Sequence, residues 1–197
     1  MIDEKLKWDE HICYIAKKIG YANYSLAKAA RTLSKANKQL LYSGLIHSHL
    51  VYGAPIWGHA KKCHLDKLLK QQKKAIRKIN NLRYRDHTND YFYECNILKV
   101  PELMEYVNLS YIQSGLCEYS PEHIRSLWTI KSNNREILRD RGMIIDVPFT
   151  RKDWIINLAP SAQAHLWNSK AKYLDWDIKP VDFKLQLKTM LLKKYSN

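Results

Sequence analysis

The chain has 197 residues, 46% of them apolar, and carries a formal net charge of +14. An apolar share of this size lets one or two domains bury a core, and only six glycines and six prolines argue against a loop-rich or low-complexity protein. No apolar run approaches the roughly 20 residues that span a bilayer, and no signal-peptide stretch follows Met1. These features predict a soluble, intracellular protein that does not enter a membrane.

Two helical patterns open the chain. Apolar residues at helical spacing predict a first helix over 8–20, and Gly20 is a predicted stop, after which the pattern can resume over 22–33. Ser34 is a predicted N-cap for a second long helix. That helix is expected to end near Pro55, which lacks an amide donor and restricts the residue before it.

The third helical pattern is the clearest in the chain. Its apolar side is formed by residues three and four apart, which is the signature of one buried helix face. These residues are Leu65, Leu68, Leu69, Gln72, Ala75, Ile76, Ile79 and Leu82. Lysine and arginine occupy most of the remaining positions, so the sequence predicts an amphipathic helix with outward-pointing cations.

The second half of the chain has weaker patterns. Thr88 is a predicted cap for a short helix through Cys95, and Pro101 suits the first turn of a helix that continues to Gly115. Residues 118–150 are mixed and polar, and they are predicted to be mainly a linker.

Three further elements complete the pattern. Residues 143–147 have the composition of a short strand, although one strand does not form a sheet. Pro160 begins a helical pattern toward Trp167, and Pro180 begins a last, lysine-rich helix. The predicted fold class is therefore mainly α, with a basic, thumb-like helical bundle over 1–85 and a looser helical C-terminal region over 86–197.

The positive charge is concentrated in one part of the chain. Residues 1–100 contain 19 basic and 8 acidic groups, a net of +11, and residues 61–85 alone contain ten basic groups and one acid, Asp66. A basic stripe of this density is typical of a polyphosphate partner. The candidate nucleic-acid-binding residues are Lys61, Lys62, Lys67, Lys70, Lys73, Lys74, Arg77 and Lys78. The alternatives are a solvated helix face, an anionic membrane surface or an acidic protein partner.

Cysteines and histidines point to no catalytic or metal site. The four cysteines are far apart and are expected to be reduced and buried as small apolar residues: Cys13, Cys63, Cys95 and Cys117. His59 and Cys63 are four residues apart, but a tetrahedral zinc site requires four ligands and no second spaced pair follows. Cys63 and His64 lack the elbow of a nucleophile–base pair. No bound cofactor is predicted.

Aromatic residues are expected mainly in the core. Tyr52 and Trp57 lie near the turn at Pro55, where packing is the expected role and contact with a sugar or base is the alternative. Four further tryptophans are expected to anchor local packing: Trp128, Trp154, Trp167 and Trp176.

Several motifs, taken in order, resemble the region that follows the polymerase palm in non-LTR (LINE-type, jockey-like) retrotransposon reverse transcriptases. They are Ile2-Asp3-Glu4-Lys5-Leu6-Lys7-Trp8 with His11-Ile12, Leu41-Tyr42 with Leu45-Ile46, Tyr52-Gly53 with Ile56-Trp57-Gly58, Leu65 with Leu68 and the run from Gln71 to Ile79, then Thr150-Arg151, Trp167-Asn168 and Phe183-Lys184. The resemblance covers nearly the whole chain and is most specific up to Ile79.

The resemblance implies a thumb role without the polymerase chemistry. The family's palm carries metal-binding carboxylates in a Tyr-x-Asp-Asp motif, which this sequence lacks, so fingers, palm and their magnesium ions are expected upstream of Met1. Asp175-Trp176-Asp177 has carboxylate spacing but follows a helical pattern. The expected partners are an RNA–DNA hybrid or DNA duplex and the upstream domains, and the expected location is nuclear.

A thumb holds the duplex without reading its sequence, because the polymerase moves along it. Lysine suits this role, since it contacts phosphates as a point charge. If six cations contacted phosphates, the binding constant would fall with salt with a log–log slope of roughly −5. The competing hypothesis is a helical interaction module whose basic face meets an acidic protein or membrane surface.

Overall fold

The computed structural model describes residues 6–117, 120–130, 143–147 and 159–195. Within these ranges the chain is mainly helical, which confirms the predicted fold class. The α-helices are α1 (Asp9–Ala29), α2 (Lys35–Tyr42), α3 (Ser48–Val51), α4 (Ala54–Trp57), α5 (Lys62–Ile79), α6 (Asn89–Glu94), α7 (Val100–Leu116), α8 (Glu122–Arg125), α9 (Ala159–Lys170) and α10 (Pro180–Lys193). In the described ranges no helix is both long and apolar enough to cross a membrane.

The first helix is longer than predicted. α1 runs through Gly20 without a break, so the predicted stop is wrong. Glycine in a helix interior costs about 1 kcal/mol relative to alanine. That cost is offset here because Ile12, Ile15, Ile19 and Leu26 place one continuous face of α1 in the core.

The second helix begins and ends where the sequence predicts. The side chain of Ser34 caps α2 by accepting a hydrogen bond from the amide of Asn37 (3.3 Å). A π-helical segment (Ser43–His47) joins α2 to α3, so the helix continues to Val51. Gly53 then reverses the chain with φ of 64°, a left-handed conformation that favours glycine, and the single turn of α4 follows.

Helix α7 lies at the centre of the fold. It contacts α3, α4, α5, α8, α9 and α10, while α1 and α5 pack against each other. The buried apolar residues of all these helices belong to one cluster, which extends from Trp8 to Tyr195. The predicted division into 1–85 and 86–197 stays a prediction, but both segments contribute to this single core.

A buried glutamine joins α5 to its neighbours. The amide nitrogen of Gln72 donates to the hydroxyl of Tyr42 (2.8 Å) and to the carbonyl oxygen of Leu98 (2.8 Å). Its amide oxygen accepts from the backbone N–H of Val100 (2.9 Å), the first residue of α7. Gln72 and Val100 are fully buried. This network fixes the start of α7 against the middle of α5.

The end of the described chain returns to the start of α7. The Tyr195 hydroxyl accepts from the backbone N–H of Lys99 (2.9 Å) and donates to a carboxylate oxygen of Glu102 (3.1 Å). Burial raises the pKa of the Tyr195 phenol. α10, which begins at Pro180 as predicted, is thereby held against α7.

The short elements agree with the sequence in part. α6 begins after Thr88 as predicted, although the Thr88 side chain forms no capping hydrogen bond. The predicted linker contains α8, and Ile130 pairs with Ile145 in an isolated antiparallel bridge, so no sheet forms in the described residues. Residues 118–119, 131–142 and 148–150 lie outside the described residues.

Several side chains are placed differently from expectation. Cys95 is buried, but Cys117 is half-buried and Cys13 and Cys63 are exposed, so the prediction of buried cysteines is confirmed only for Cys95. Trp57 is buried while Tyr52 is 80% exposed, because only Trp57 turns inward from the Gly53 reversal. Trp128 and Trp167 are core residues as expected; Trp176 is 42% exposed, and Trp154 lies outside the described residues.

Candidate nucleic-acid interface

Four of the eight candidate cations form one exposed row on α5. Lys67, Lys70, Lys74 and Lys78 follow one another at spacings of three, four and four residues, and all are exposed. At about 100° per residue these positions fall within about 80° of arc, and they extend over about 16 Å of helix axis. We call this row the lysine stripe.

Two candidate cations lie at the edge of the lysine stripe. Lys73 and Arg77 are half-buried. The guanidinium Nε of Arg77 donates to the carbonyl oxygen of Asp86 (3.1 Å), which holds this side chain against the loop after α5. Arg77 therefore combines a structural contact with its charge.

A ninth cation extends the positive surface beyond Lys73. The ammonium group of Lys99 lies 4.0 Å from the centre of the Tyr195 ring. Burial lowers the pKa of Lys99, and the charge of Lys73 lowers it further, while Glu102 opposes the shift. Sequence reasoning did not include Lys99, because it precedes α7 and only the fold brings it toward α5.

The remaining two candidates stand at the beginning of α5. Lys61 is the N-cap residue, Lys62 is the first helical residue, and both are exposed. Cations at a helix N-terminus oppose the helix dipole, which costs a few tenths of a kcal/mol. These two lysines lie off the lysine stripe, so the structure separates them from the other candidates.

The candidate cations are not neutralised by internal partners. None of the eight forms an ion pair within the described ranges; the ion pairs found there use Lys35, His64, Lys170 and Lys194. Asp66 is half-buried on the side of α5 next to the lysine stripe. Uncompensated lysines repel one another, which favours an external polyanion as partner.

Helix α1 borders the lysine stripe. Polar contacts along the seam between the two helices include His64 Nε2 to Asp9 Oδ1 (2.7 Å), Lys67 Nζ to Cys13 Sγ (3.9 Å) and Asn23 Nδ2 to the carbonyl oxygen of Gln71 (3.0 Å). Successive contacts advance along both helices, so α1 and α5 run in the same general direction. The exposed faces of the two helices are therefore continuous across Cys13 and Lys67.

The exposed face of α1 contains residues that sequence reasoning did not assign to the site. Tyr14, Lys17, Tyr21, Tyr24 and Lys28 recur at spacings of three and four residues and are all exposed. Lys28 lies over the Tyr24 ring at 4.7 Å from its centre. This spacing of three and four residues is visible in the sequence and predicts a common exposed face opposite the apolar side of α1.

The structure does not assemble a metal site around His59 and Cys63, the pair considered for metal binding, within the described residues. His64 contacts Asp9, and the described part of the chain contains no group of three or more His, Cys, Asp or Glu side chains placed to hold a metal ion. The predicted absence of a cofactor stays a prediction.

Comparisons with protein-family models, with curated proteins and with solved structures find no match to this chain.

Proposed function

We propose that this chain grips nucleic-acid duplexes by their phosphate backbone through the lysine stripe of α5, as the thumb-like part of a non-LTR retrotransposon reverse transcriptase. The observation that carries the proposal is a row of four exposed lysines without an acidic partner among the described residues. The order of sequence motifs that resemble this family supports the assignment to a polymerase.

The dimensions of the lysine stripe suit a nucleic-acid strand. The stripe extends over about 16 Å, and one strand of a duplex carries a phosphate about every 3.4 Å along the axis. Four lysines thus face about five phosphates of one strand. Each lysine side chain has several rotatable bonds, so its ammonium group can follow the backbone without a fixed register.

The residue type supports binding without sequence specificity. Contacts to phosphates position a protein on a duplex, whereas hydrogen bonds to base edges read the sequence. The lysine stripe consists of lysines alone, which contact phosphates as point charges and need no base contact to do so. Such a surface holds any duplex and lets it slide, which is the task of a thumb behind a moving active site.

The support beneath the lysine stripe is rigid. The opposite face of α5 is formed by Leu68, Gln72, Ala75, Ile76 and Ile79, all buried. Packing against α1 and the Gln72 network hold the helix in place, so a duplex meets a surface with a fixed shape. Under this proposal the polymerase chemistry belongs to palm and fingers domains, and nuclear location follows from the same family assignment.

The proposal is tested with two matched quadruple variants. In the first, Lys67, Lys70, Lys74 and Lys78 are changed to alanine; in the second, four exposed cations on other elements are changed: Arg125, Lys172, Lys179 and Lys184. Both remove four charges. We expect the first variant to bind an RNA–DNA hybrid and a DNA duplex at least about tenfold more weakly than the second, because only the first removes aligned phosphate contacts.

Melting curves provide the necessary control. Alanine has the highest helix propensity and the substituted positions are exposed, so both variants should unfold within about 0.5 kcal/mol of the unchanged chain. Equal duplex binding by the two variants would contradict the proposal. Binding of the unchanged chain to anionic vesicles but not to duplexes would favour the interaction-module hypothesis instead.

A further inference from the structure

We infer that the exposed tyrosines of α1 bind unpaired nucleotides next to the duplex, by stacking their rings on the bases. This inference rests on the proposed function, because the duplex held by the lysine stripe is what delivers the unpaired strand to α1. The partner is therefore a duplex with a single-stranded extension rather than a blunt duplex.

The three tyrosines share one face of α1. Tyr14, Tyr21 and Tyr24 fall within about 80° of arc and extend over about 15 Å of helix axis. They are 48%, 74% and 62% exposed, so all three rings are open to solvent. We call them the tyrosine row. Its length matches about four stacked nucleotides at about 3.4 Å per base.

Cations are interleaved with the rings. Lys17 and Lys28 occupy the same arc of α1, and Lys18 lies over the Tyr14 ring at 5.4 Å from its centre. Single-strand binding surfaces combine these two elements: cations that follow the phosphates and aromatic rings on which successive bases stack. A purely apolar helix face intended for a protein partner has no need of lysines within the aromatic row.

The tyrosine row and the lysine stripe form one surface. Cys13 precedes Tyr14 by one residue, and its Sγ lies 3.9 Å from the ammonium group of Lys67. Lys17 follows Cys13 by one helical turn, so cations continue from α5 onto α1. The acidic side chains near this path lie at the start of α1: Asp9, which pairs with His64, and the exposed Glu10, one turn before Tyr14.

The test compares three probes by fluorescence anisotropy on the full chain. The first is a blunt hybrid of about one helical turn, about ten base pairs. The second adds an unpaired extension of about five nucleotides, and the third carries an extension of equal length without bases. The third probe keeps the phosphates, so the difference between the second and third probes measures stacking alone.

We expect the extension with bases to bind at least about tenfold more tightly than the extension without bases, because a stacked base contributes about fivefold or more. Changing Tyr14, Tyr21 and Tyr24 to alanine should reduce this ratio to within about twofold. Changing the same three residues to phenylalanine, which keeps the rings, should preserve it.

Failure of this inference is distinguishable from failure of the proposed function. If the blunt hybrid binds through the lysine stripe but the extensions with and without bases bind equally, the tyrosine row does not stack and only this inference is overturned. A ratio that survives in the alanine variant overturns it as well. If the blunt hybrid itself does not bind, the proposed function fails first. A sedimentation change in the alanine variant with an unchanged ratio assigns the row to chain–chain contact and overturns the inference.

Discussion

The Gln72 network offers the sharpest test of the packing described above. The buried side chain of Gln72 forms three hydrogen bonds to other parts of the chain. Its partners are the Tyr42 hydroxyl, the Leu98 carbonyl oxygen and the Val100 backbone N–H. Gln72→Met keeps the length of the side chain but removes one acceptor and two donated hydrogen bonds. We therefore expect a large loss of stability from a change of almost constant volume.

The size of the stability loss follows from the buried polar groups that lose their hydrogen-bond partner in Gln72→Met. The Leu98 carbonyl and the Val100 N–H stay buried without their partner, and each such backbone group costs about 1–3 kcal/mol. The Tyr42 hydroxyl also loses its hydrogen-bond donor. Burial of the apolar methionine side chain offsets part of this loss in the free energy of unfolding. The expected change in the free energy of unfolding is about 3–5 kcal/mol, or a decrease in Tm of roughly 10 °C for a chain of this size.

Urea unfolding followed by circular dichroism measures this change, with Gln186→Met on the exposed side of α10 as the control. The control should lie within about 0.5 kcal/mol of the unchanged chain. Tyr42→Phe should cost less in the Gln72→Met background than alone, because the shared hydrogen bond is already lost. If Gln72→Met costs less than about 1 kcal/mol, the network does not stabilise the start of α7 and the described contact is wrong.

Two further predictions concern stability. Gly20→Ala should stabilise the chain by up to about 1 kcal/mol, because Gly20 lies inside a helix and no neighbouring atom lies within 4 Å of the added Cβ. Gly115→Ala should destabilise the chain by about 1–2 kcal/mol, because its Cβ would lie 2.6 Å from the Trp128 ring. Equal effects in thermal melting would contradict this assignment. Burial lowers the pKa of His11 and of His47, so the native state binds fewer protons than the unfolded state, and stability should decrease as pH falls below about 6.5. The test measures the urea midpoint at pH 7.5 and pH 5.5 for the unchanged chain and for a variant that carries His11→Gln and His47→Gln. A midpoint that does not change with pH in the unchanged chain would refute this explanation, as would a decrease of the same size in the variant.

The longer helices were predictable because each has a local signal, whereas α4 lies at the predicted turn and α8 in the predicted linker. The spacing of apolar residues marks the buried face of α5, Ser34 caps α2 with its side chain, and proline begins α10. These signals depend on residues a few positions apart in the sequence, so they can be recognised without knowing which elements pack against the helix. Gly20 is a position where the local signal is misleading, because the tertiary packing of α1 overrides the local preference for a helix break.

The arrangement of the helices was not predictable from the same signals. Periodicity defines which face of a helix is buried, but not which element covers it. The Gln72 network joins residues 26 to 30 positions apart, and Tyr195 contacts Lys99 across 96 positions. Only folding brings these groups together.

The sequence predicted the candidate site from the number of cations in one segment, and the structure shows which of these cations share a surface. The eight cations were selected from the charge of residues 61–85, and the fold separates four into the lysine stripe. Lys61, Lys62, Lys73 and Arg77 lie beside or before it. The sequence does not show that α1 borders this surface, because the contact between α1 and α5 depends on the tertiary fold.

The salt dependence of duplex binding tests the central claim most directly. Binding of the full chain to an RNA–DNA hybrid is measured between about 50 and 200 mM salt, beside the variant in which the four lysines of the lysine stripe are alanine. With four phosphate contacts the log–log slope should be about −3.6, a loss of about 150-fold over this range, and the slope of the variant should be closer to zero by about that amount. Equal slopes for the two proteins would contradict the claim and leave the lysine stripe as a solvated helix face.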